Sequence, residues 1–474
     1  MNRQIVQMFG LVIGLFGVLI FFTSRWTVFE AESLEDRASN RRPLIEELQR
    51  PRGLILARDG NTMLARSVPR GRGESRIFTR EYPNGPLFGH VVGYAFAREG
   101  KDGLEASRDD ELRGEEDEFE SIISELQSEK QEGADLVTTL DPQAQALATE
   151  LLAGQNGSVV ALEPDTGRVR VMVSVPQFDP NQVPGDGQVD FLNRATQSRY
   201  PPGSTFKVVT AAAALDTDEY SPDSIIDGSS PKEISGVPLA NAGGQSFGPL
   251  PLTDALTNSV NTVFAEIGEE LGRETLVEYM ERFGFNQDPQ LDYPDSKMNA
   301  SGVRDAGGRL LSGDSGFDIG RVAIGQGGAE GAILVTPLQM AQVAGVVGNE
   351  GVLMKPRLTE RVIGKDGRVR ERIEPDEQHR VMQEGTAAEL AAMMARVVDE
   401  GTGTAAALSG IEVAGKTGTA EVDNATSNQA WFIGFAPVED PRMAIAVTIE
   451  RTQGQGGTVA APIAAGVLEQ LLGG

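Results

Sequence analysis

The chain has 474 residues, enough for two or three domains and a large hydrophobic core. It contains no cysteine and only two histidines, which excludes a disulfide scaffold, thiolate chemistry and a zinc site built on cysteines or on several histidines. The net charge of -27 argues against a nucleic-acid partner, because nucleic-acid binders concentrate positive charge.

The first predicted element is a membrane-spanning helix. Residues 5–22 are apolar except for Gln7, a length at the short end of what spans a bilayer. Arg3 precedes this run and Arg25 follows it, a weak charge bias that permits a cytoplasmic amino terminus. A cleaved signal peptide is the alternative, but no good small-x-small cleavage site follows the run. We therefore expect an uncleaved anchor over residues 1–26 and an extracytoplasmic location for the rest of the chain.

The next part of the chain, residues 27–135, predicts a modest α+β domain. A helical pattern changes to short strands near Arg52, and "RDGN" predicts a hairpin turn between them. Residues 101–132 carry thirteen acids and four bases. Their apolar residues, Phe119, Ile122, Ile123 and Leu126, recur at helical spacing. We expect a solvated amphipathic helix there rather than a binding site.

The pattern of residues 136–474 predicts a larger domain, with one sheet formed by strands from both ends of this segment. Asp141 as N-cap and Pro142 at the first position predict a helix, followed by two strands and a turn within residues 157–175. Helical patterns dominate from 204 to about 410. Strands return in "AWFIGFAP" and "MAIAVTIE", followed by a closing helix.

Ser204 and Lys207 lie three apart at the start of a predicted helix, in "RYPPGSTFKVVTAAAALD". This spacing places the amine near the hydroxyl, and a lysine whose pKa is lowered by burial or nearby positive charge can activate a serine. The chain has eight lysines against 34 arginines, and only lysine can supply a neutral amine. S-x-x-K alone is a weak signal, because a second copy, Ser229 and Lys232, lies in turn-like surroundings. Two ordinary polar residues on a helix remain the alternative.

Two further motifs follow in the chain. Ser259 and Asn261 form its one S-x-N, between two helical stretches where they could simply cap a helix. Lys416 begins its one K-T-G, ahead of the strands at 431–450, where the glycine indicates either close approach by a ligand or a plain bulge. We expect His90, in a predicted strand, and His379, in a predicted exposed loop, to be ordinary histidines rather than the base of a Ser-His-Asp triad.

The set S-x-x-K, S-x-N and K-T-G in this order resembles that of penicillin-binding proteins and serine β-lactamases. The segments "NRATQSRYPPGSTFK", "IGQGGAEGAILVTPLQMA" and "VAGKTGTAEV" with "AWFIGFAP" resemble the transpeptidase domain of class B penicillin-binding proteins. "PRGLILARDGNTMLA" is similar to the box that opens their pedestal, although Ala57 stands where many members have Asp. The resemblance is strongest to the actinobacterial penicillin-binding protein A group. It covers nearly the whole chain and is weakest in residues 101–132.

This resemblance implies an α+β fold in which an antiparallel sheet flanked by helices, with a helical subdomain, stands on an elongated α+β pedestal. The expected division is a cytoplasmic tip and transmembrane anchor at 1–26, a dimerisation-type pedestal at 27–135 and a transpeptidase domain at 136–474.

The resemblance also implies catalytic roles. Ser204 would attack the D-alanyl-D-alanine carbonyl of a peptidoglycan stem peptide, with Lys207 as its base. Ser259 would pass the proton towards the leaving D-alanine. Asn261 would hold the substrate amide and support Lys207, and Lys416 would contribute positive field.

The expected substrate-binding groups lie beside them. The hydroxyls of Thr417 and Thr419 would bind the terminal carboxylate, and Gly418 would let the substrate lie flat along the strand. The backbone amides of Ser204 and Thr419 would form the oxyanion hole. No metal and no cofactor are expected.

The implied function is a D,D-transpeptidase that is also bound by β-lactam antibiotics and works with a membrane glycosyltransferase. A β-lactamase is an alternative, but no E-x-x-L-N segment supplies the glutamate that class A enzymes use for deacylation. A D,D-carboxypeptidase is closer in chemistry, but the pedestal argues against it. The non-enzymatic alternative is a catalytically silent scaffold or sensor that binds penicillin.

Overall fold

The structure is a computed structural model that describes residues 2–25, 47–73, 76–114, 133–183, 190–311, 315–328, 331–422 and 426–473. The chain divides into two compact units, residues 1–51 with 68–79, and residues 52–67 with 80–474.

The α-helices whose bounds fall within the described residues are, in chain order, Asn2–Ser24, Gly85–Val92, Leu104–Ser107, Asp109–Arg113, Pro142–Leu151, Lys207–Asp216, Leu252–Thr257, Asn261–Arg282, Ile319–Ala323, Pro337–Gly348, Glu384–Asp399 and Ala461–Gly473. The strands are β1 (Ile55–Leu56), β2 (Met63–Arg70), β3 (Ile77–Glu81), β4 (Ala95–Phe96), β5 (Gly100–Lys101), β6 (Asp135–Thr138), β7 (Gly157–Leu162), β8 (Val169–Val175), β9 (Ile225–Asp227), β10 (Lys232–Ile234), β11 (Val237–Leu239), β12 (Pro249–Pro251), β13 (Gly302–Arg304), β14 (Gly327–Gly328), β15 (Gly331–Leu334), β16 (Val352–Met354), β17 (Thr359–Ile363), β18 (Val369–Arg372), β19 (Glu377–Arg380), β20 (Ala414–Val422), β21 (Ser427–Ala436) and β22 (Met443–Thr452).

The helix Asn2–Ser24 has the length and composition to cross a membrane. Its candidate span Arg3–Ser24 has 22 residues, which at 1.5 Å each extend about 33 Å, close to the ~30 Å hydrocarbon core of a bilayer. Its described side chains are exposed, including Phe9, Phe16 and Phe21, which is the surface that a lipid environment would cover. This helix corresponds to the predicted anchor.

A five-stranded antiparallel sheet in the order β20-β21-β22-β7-β8 carries the larger core. It joins β7 and β8 to the last three strands of the chain, with Gly157 opposite Ile449, as the sequence predicts. Alternate residues of β7 pack into two different clusters, Val160 on one face and Val159 on the other. Both faces are covered, by the helix Pro337–Gly348 on one side and by helices from the two ends of this region on the other. Residues 430–436 of β21 and 443–447 of β22 are continuously apolar or glycine and buried for that reason.

The second sheet has the order β18-β17-β6-β1-β2-β3. Its β17 and β18 come from the stretch where helical patterns were expected to dominate, and β17 pairs with β6. That expectation was wrong for the short strands β9 to β19, because strands of two to five residues leave too little periodicity to detect.

The acidic stretch differs from the prediction where it is described. Residues 104–113 form two short helices rather than part of one solvated helix. Glu105 is fully buried and ion-paired with Arg80 at 2.5 Å and with Arg52 at 2.9 Å. Charge pattern alone could not show this, because the arginines lie more than 20 residues away in sequence. The apolar residues Phe119 to Leu126 lie outside the described residues.

Candidate active site

The Ser204 turn leads directly into the helix that carries Lys207. The sequence predicts one helix from residue 204, but residues Gly203–Phe206 form a 3-10 turn and the α-helix begins at Lys207. Gly203 adopts a left-handed φ of 53° after two prolines, and 3-10 turns are common where a chain enters a helix. The Lys207 N–H donates to the Ser204 carbonyl, and Ser204 is half-buried.

Lys207 is fully buried among polar acceptors from the S-x-N motif. Its Nζ donates to the Ser259 carbonyl at 2.7 Å, to Asn261 Oδ1 at 2.7 Å and to Ser259 Oγ at 3.3 Å. Burial, and then the nearby charge of Lys416, hold the pKa of Lys207 well below its usual range. Both causes disfavour the charged form, so this amine loses a proton more easily than an exposed lysine does.

Ser259 lies in a tight turn between the helices Leu252–Thr257 and Asn261–Arg282. Its φ is 58°, the left-handed region that non-glycine residues avoid at a cost of about 1–3 kcal/mol. The helix-capping interpretation is wrong. The N-cap position is Val260, which makes no side-chain cap, and Asn261 instead contacts Lys207.

Lys416 lies within strand β20 itself, an edge strand, rather than ahead of the strands. It is fully buried, and its Nζ donates to Ser259 Oγ at 3.0 Å and to the Thr417 carbonyl at 3.0 Å. Burial lowers the pKa of Lys416 to about 7. The Ser259 hydroxyl thus lies between two amines that both lose their protons readily.

Gly418 lies against the Ser204 turn. The glycine therefore marks a close approach and not a β-bulge. The β20–β21 ladder is regular here, with Gly418 opposite Trp431. A Cβ at Gly418 would lie 2.6 Å from the Pro202 carbonyl oxygen, and one at Gly203 would lie 2.9 Å from the Thr419 oxygen. Glycine at both positions lets the strand and the turn approach each other.

The hydroxyls of Thr417 and Thr419 have partners outside the three motifs. Thr417 Oγ1 lies 2.6 Å from Thr402 Oγ1, and the Gly456 N–H donates to Thr419 Oγ1 at 3.1 Å. Neither Thr402 nor Gly456 belongs to a spaced motif, so the sequence contains no signal that would select them.

The remaining candidates have structural partners. His90 lies in the helix Gly85–Val92, not in a strand, and is buried with its Nε2 2.9 Å from the Pro176 carbonyl. His379 lies in strand β19, not in an exposed loop, and contacts the Arg282 carbonyl at 2.7 Å. Lys232 of the second S-x-x-K pairs with Glu266 at 2.5 Å.

Comparison with known proteins agrees with this site. The family model for the penicillin binding protein transpeptidase domain matches residues 157–469, and the model for the penicillin binding protein A dimerisation domain matches residues 52–136. Peptidoglycan D,D-transpeptidase PbpA of Mycolicibacterium smegmatis is 32% identical and covers 98% of this chain and 97% of its own. PbpA of Mycobacterium tuberculosis H37Rv is 31% identical over the full length of both chains.

Solved structures show the same similarity. The penicillin G acyl-enzyme complex of penicillin-binding protein A from M. tuberculosis superposes with a TM-score of 0.77 at 29% identity, covering 89% of this chain and 100% of that one. The D,D-transpeptidase domain of a peptidoglycan glycosyltransferase from Eggerthella lenta superposes with a TM-score of 0.76 at 32% identity, covering 90% of this chain and 99% of that one.

Proposed function

We propose that this chain, which belongs to the penicillin-binding protein transpeptidase family, crosslinks peptidoglycan stem peptides through an acyl-enzyme on Ser204. The observation that carries this proposal is the meeting of Lys207 and Lys416 at the Ser259 hydroxyl, beside the turn that holds Ser204. Hydroxyl nucleophiles need a neighbouring base, and the lowered pKa of Lys207 provides one without a histidine.

In the acylation step, Ser204 Oγ attacks the carbonyl carbon of the penultimate D-alanine while its proton passes to the neutral Lys207 amine. The bond from this carbon to the terminal D-alanine nitrogen then breaks. The leaving nitrogen takes up a proton that the Ser259 hydroxyl relays, and the ester on Ser204 remains. An amine of a neighbouring stem peptide attacks this ester, forms the crosslink and returns the proton to Ser204.

Substrate alignment follows from the edge position of β20. The substrate would add along the free edge of that strand, with its terminal carboxylate at the Thr417 and Thr419 hydroxyls and near the Lys416 charge. Asn261 would hold the substrate amide. The backbone N–H groups of Ser204 and Thr419 would stabilise the oxyanion, an effect of roughly 3–4 kcal/mol per donor in other acyl-transfer enzymes.

A β-lactam would acylate the same serine, and the adduct would persist because its leaving amine stays tethered to the acyl group. The burial of both Lys207 and Lys416 argues against the alternative of a catalytically silent scaffold, because burying two lysines without a catalytic use is costly. The carboxypeptidase and β-lactamase alternatives differ in how fast water, rather than an amine, removes the acyl group.

We place the helix Asn2–Ser24 across the cytoplasmic membrane with its amino end inside, which puts the site on the side where peptidoglycan is built. Residues 27–135 would act as a pedestal and residues 136–474 as the transpeptidase domain. The stem-peptide strands would come from a membrane glycosyltransferase partner, since crosslinking consumes newly polymerised glycan.

Intact mass spectrometry after incubation with benzylpenicillin tests the proposal, using the detergent-solubilised full chain and its Ser204→Ala variant. We expect a stable one-drug adduct on the parent and none on the variant. Consumption of the drug without an adduct would favour a β-lactamase. A folded parent that neither gains mass nor consumes drug would favour the scaffold.

A further inference from the structure

An insert of four short strands, β9 to β12 over residues 225–251, separates the Lys207 helix from the Ser259 turn. The insert is attached to the long helix Asn261–Arg282. Lys232 Nζ lies 2.5 Å from Glu266 Oε2, and Ser235 Oγ donates to Glu269 Oε1 at 2.8 Å. These contacts lie along the exposed part of the helix, whereas a further contact reaches its first turn.

Asn241 makes that further contact. It is 4% exposed, although its neighbours Ala240 and Ala242 are exposed. Its Nδ2 donates to the Gly228 carbonyl at 3.1 Å and to the Gln245 carbonyl at 3.0 Å. Its Oδ1 accepts from the Thr262 N–H at 3.0 Å. Both donors and the acceptor of this buried amide are therefore in use.

Two consecutive residues of the insert pair with two consecutive residues of the helix. Asn241 accepts from Thr262, and the Ala240 carbonyl accepts from Asn261 Nδ2 at 3.3 Å. Thr262 is the second residue of a helix whose N-cap, Val260, offers no side-chain acceptor. An N-cap side chain ordinarily satisfies this N–H, so Asn241 supplies from outside the acceptor that the helix lacks.

The Ala240 contact determines which way the Asn261 amide faces. With Nδ2 directed at the Ala240 carbonyl, Oδ1 faces Lys207 Nζ at 2.7 Å. A reversed amide would place a donor against the lysine and an acceptor against a carbonyl oxygen, losing both bonds. Asn241 fixes the backbone on either side of this contact, at residues 240–241 of the insert and at 261–262 of the helix.

Resting on the proposed function, we propose that Asn241 is a positioning residue that holds the Asn261 amide in the orientation the Lys207 amine and the substrate require. A purely structural role in the insert needs only the bonds to Gly228 and Gln245. The bond to Thr262 goes to the turn that carries the active-site amide. The predicted consequence is a change in the acylation step itself and not only in stability.

The test is a double-mutant cycle on the full chain in detergent, with benzylpenicillin as the probe. Asn241→Ala, Asn241→Ser, Asn261→Ala and the double variant Asn241→Ala/Asn261→Ala are compared with the parent. Stopped-flow acylation over a range of drug concentrations separates the binding constant from the acylation rate constant. Rates are normalised to penicillin-titrated sites, so a partly unfolded preparation still reports its active fraction. Asn258→Ala is the matched control, because this exposed amide donates to the Asp254 carbonyl in the preceding helical turn and, among the described residues, has no side-chain bond to Lys207 or Asn261.

We expect both Asn241 variants to lower the acylation rate constant about tenfold with binding little changed, because small misplacements of catalytic groups are costly. Asn258→Ala should match the parent. In the Asn261→Ala background, Asn241→Ala should cause little further loss, since its effect passes through Asn261. An unchanged rate constant per titrated site, or an equal loss in both backgrounds, would overturn the positioning role while leaving the proposed function intact. A folded parent that is never acylated would overturn both.

Discussion

Lys207 and Lys416 donate to the same oxygen: their Nζ atoms lie 3.3 Å and 3.0 Å from Ser259 Oγ. Both side chains are fully buried. Burial first, and then the charge of Lys416, hold the pKa of Lys207 well below its usual range, and burial lowers the pKa of Lys416 to about 7. Both amines therefore lie at the hydroxyl that we propose carries a proton to the leaving group.

Lys416→Gln should move the acidic limb of the pH–acylation profile to higher pH. Acylation needs the neutral Lys207 amine, and the Lys416 charge is, after burial, the second cause that lowers the pKa of Lys207. Removing that charge raises the Lys207 pKa, so more alkaline solution is needed to deprotonate it. The rate should also fall by about tenfold or more, because Lys416 supplies positive field.

The measurement is the second-order acylation constant with benzylpenicillin as a function of pH. Lys365→Gln, which removes a partly exposed lysine paired with Asp135, should leave the profile in place. A limb that stays fixed or moves to lower pH in Lys416→Gln would contradict the coupling.

Ser259→Gly and Ser259→Ala should lose acylation to a similar extent but differ in stability. Neither variant has the hydroxyl, whereas only glycine adopts the left-handed φ of 58° without strain. We expect the free energy of unfolding of the glycine variant to be about 1 kcal/mol higher than that of the alanine variant. Urea denaturation of the two variants side by side checks this. Equal midpoints would show that the turn relaxes around alanine.

Gly418→Ala should reduce acylation about a hundredfold while leaving the fold intact. The new methyl group would lie 2.6 Å from the Pro202 oxygen and 2.9 Å from Thr205 Cγ2, so β20 and the Ser204 turn must move apart. Gly385→Ala is the control, because it belongs to a helix and, apart from its chain neighbours and its own helix backbone, no atom of the described residues lies within 4 Å of its added Cβ. Stopped-flow acylation and circular dichroism on both variants provide the comparison. Normal acylation by Gly418→Ala would mean that the close approach has no catalytic importance.

Glu105→Ala should destabilise the protein by about 3 kcal/mol or more without changing acylation per titrated site. It removes the buried acid between Arg52 and Arg80 and leaves two arginines without their shared partner. The midpoint of thermal unfolding is the measurement, with Asp110→Asn at an exposed acid as the control. A midpoint as high as that of the control would show that water replaces the carboxylate.

Much of the fold and of the site could be predicted because the signals are local. The Asp141 cap, the strands on both sides of residues 164–167 and the apolar strands near the end follow from patterns of fewer than twenty residues. Elements without such a pattern were missed: the short strands after residue 225, and the helix that contains His90. The sequence predicts a strand around His90 because an eight-residue segment with a Pro and β-branched residues does not distinguish a short helix from a strand.

The sequence by itself determined the apolar N-terminal helix, the order of the three motifs and four strands of the five-stranded sheet, but not its edge strand β20. Each of these depends on residue type at short spacing, which the chain carries in any conformation. Only the tertiary structure decided how the motifs meet. Lys207 and Ser259 are 52 residues apart, and Ser259 and Lys416 are 157 apart. The lowered pKa values of Lys207 and Lys416 also depend on the tertiary structure, because they come from burial and from charges that are far apart in sequence. The same holds for Asn241. Its amide can accept from the Thr262 N–H only when the insert packs against the helix that begins at Asn261.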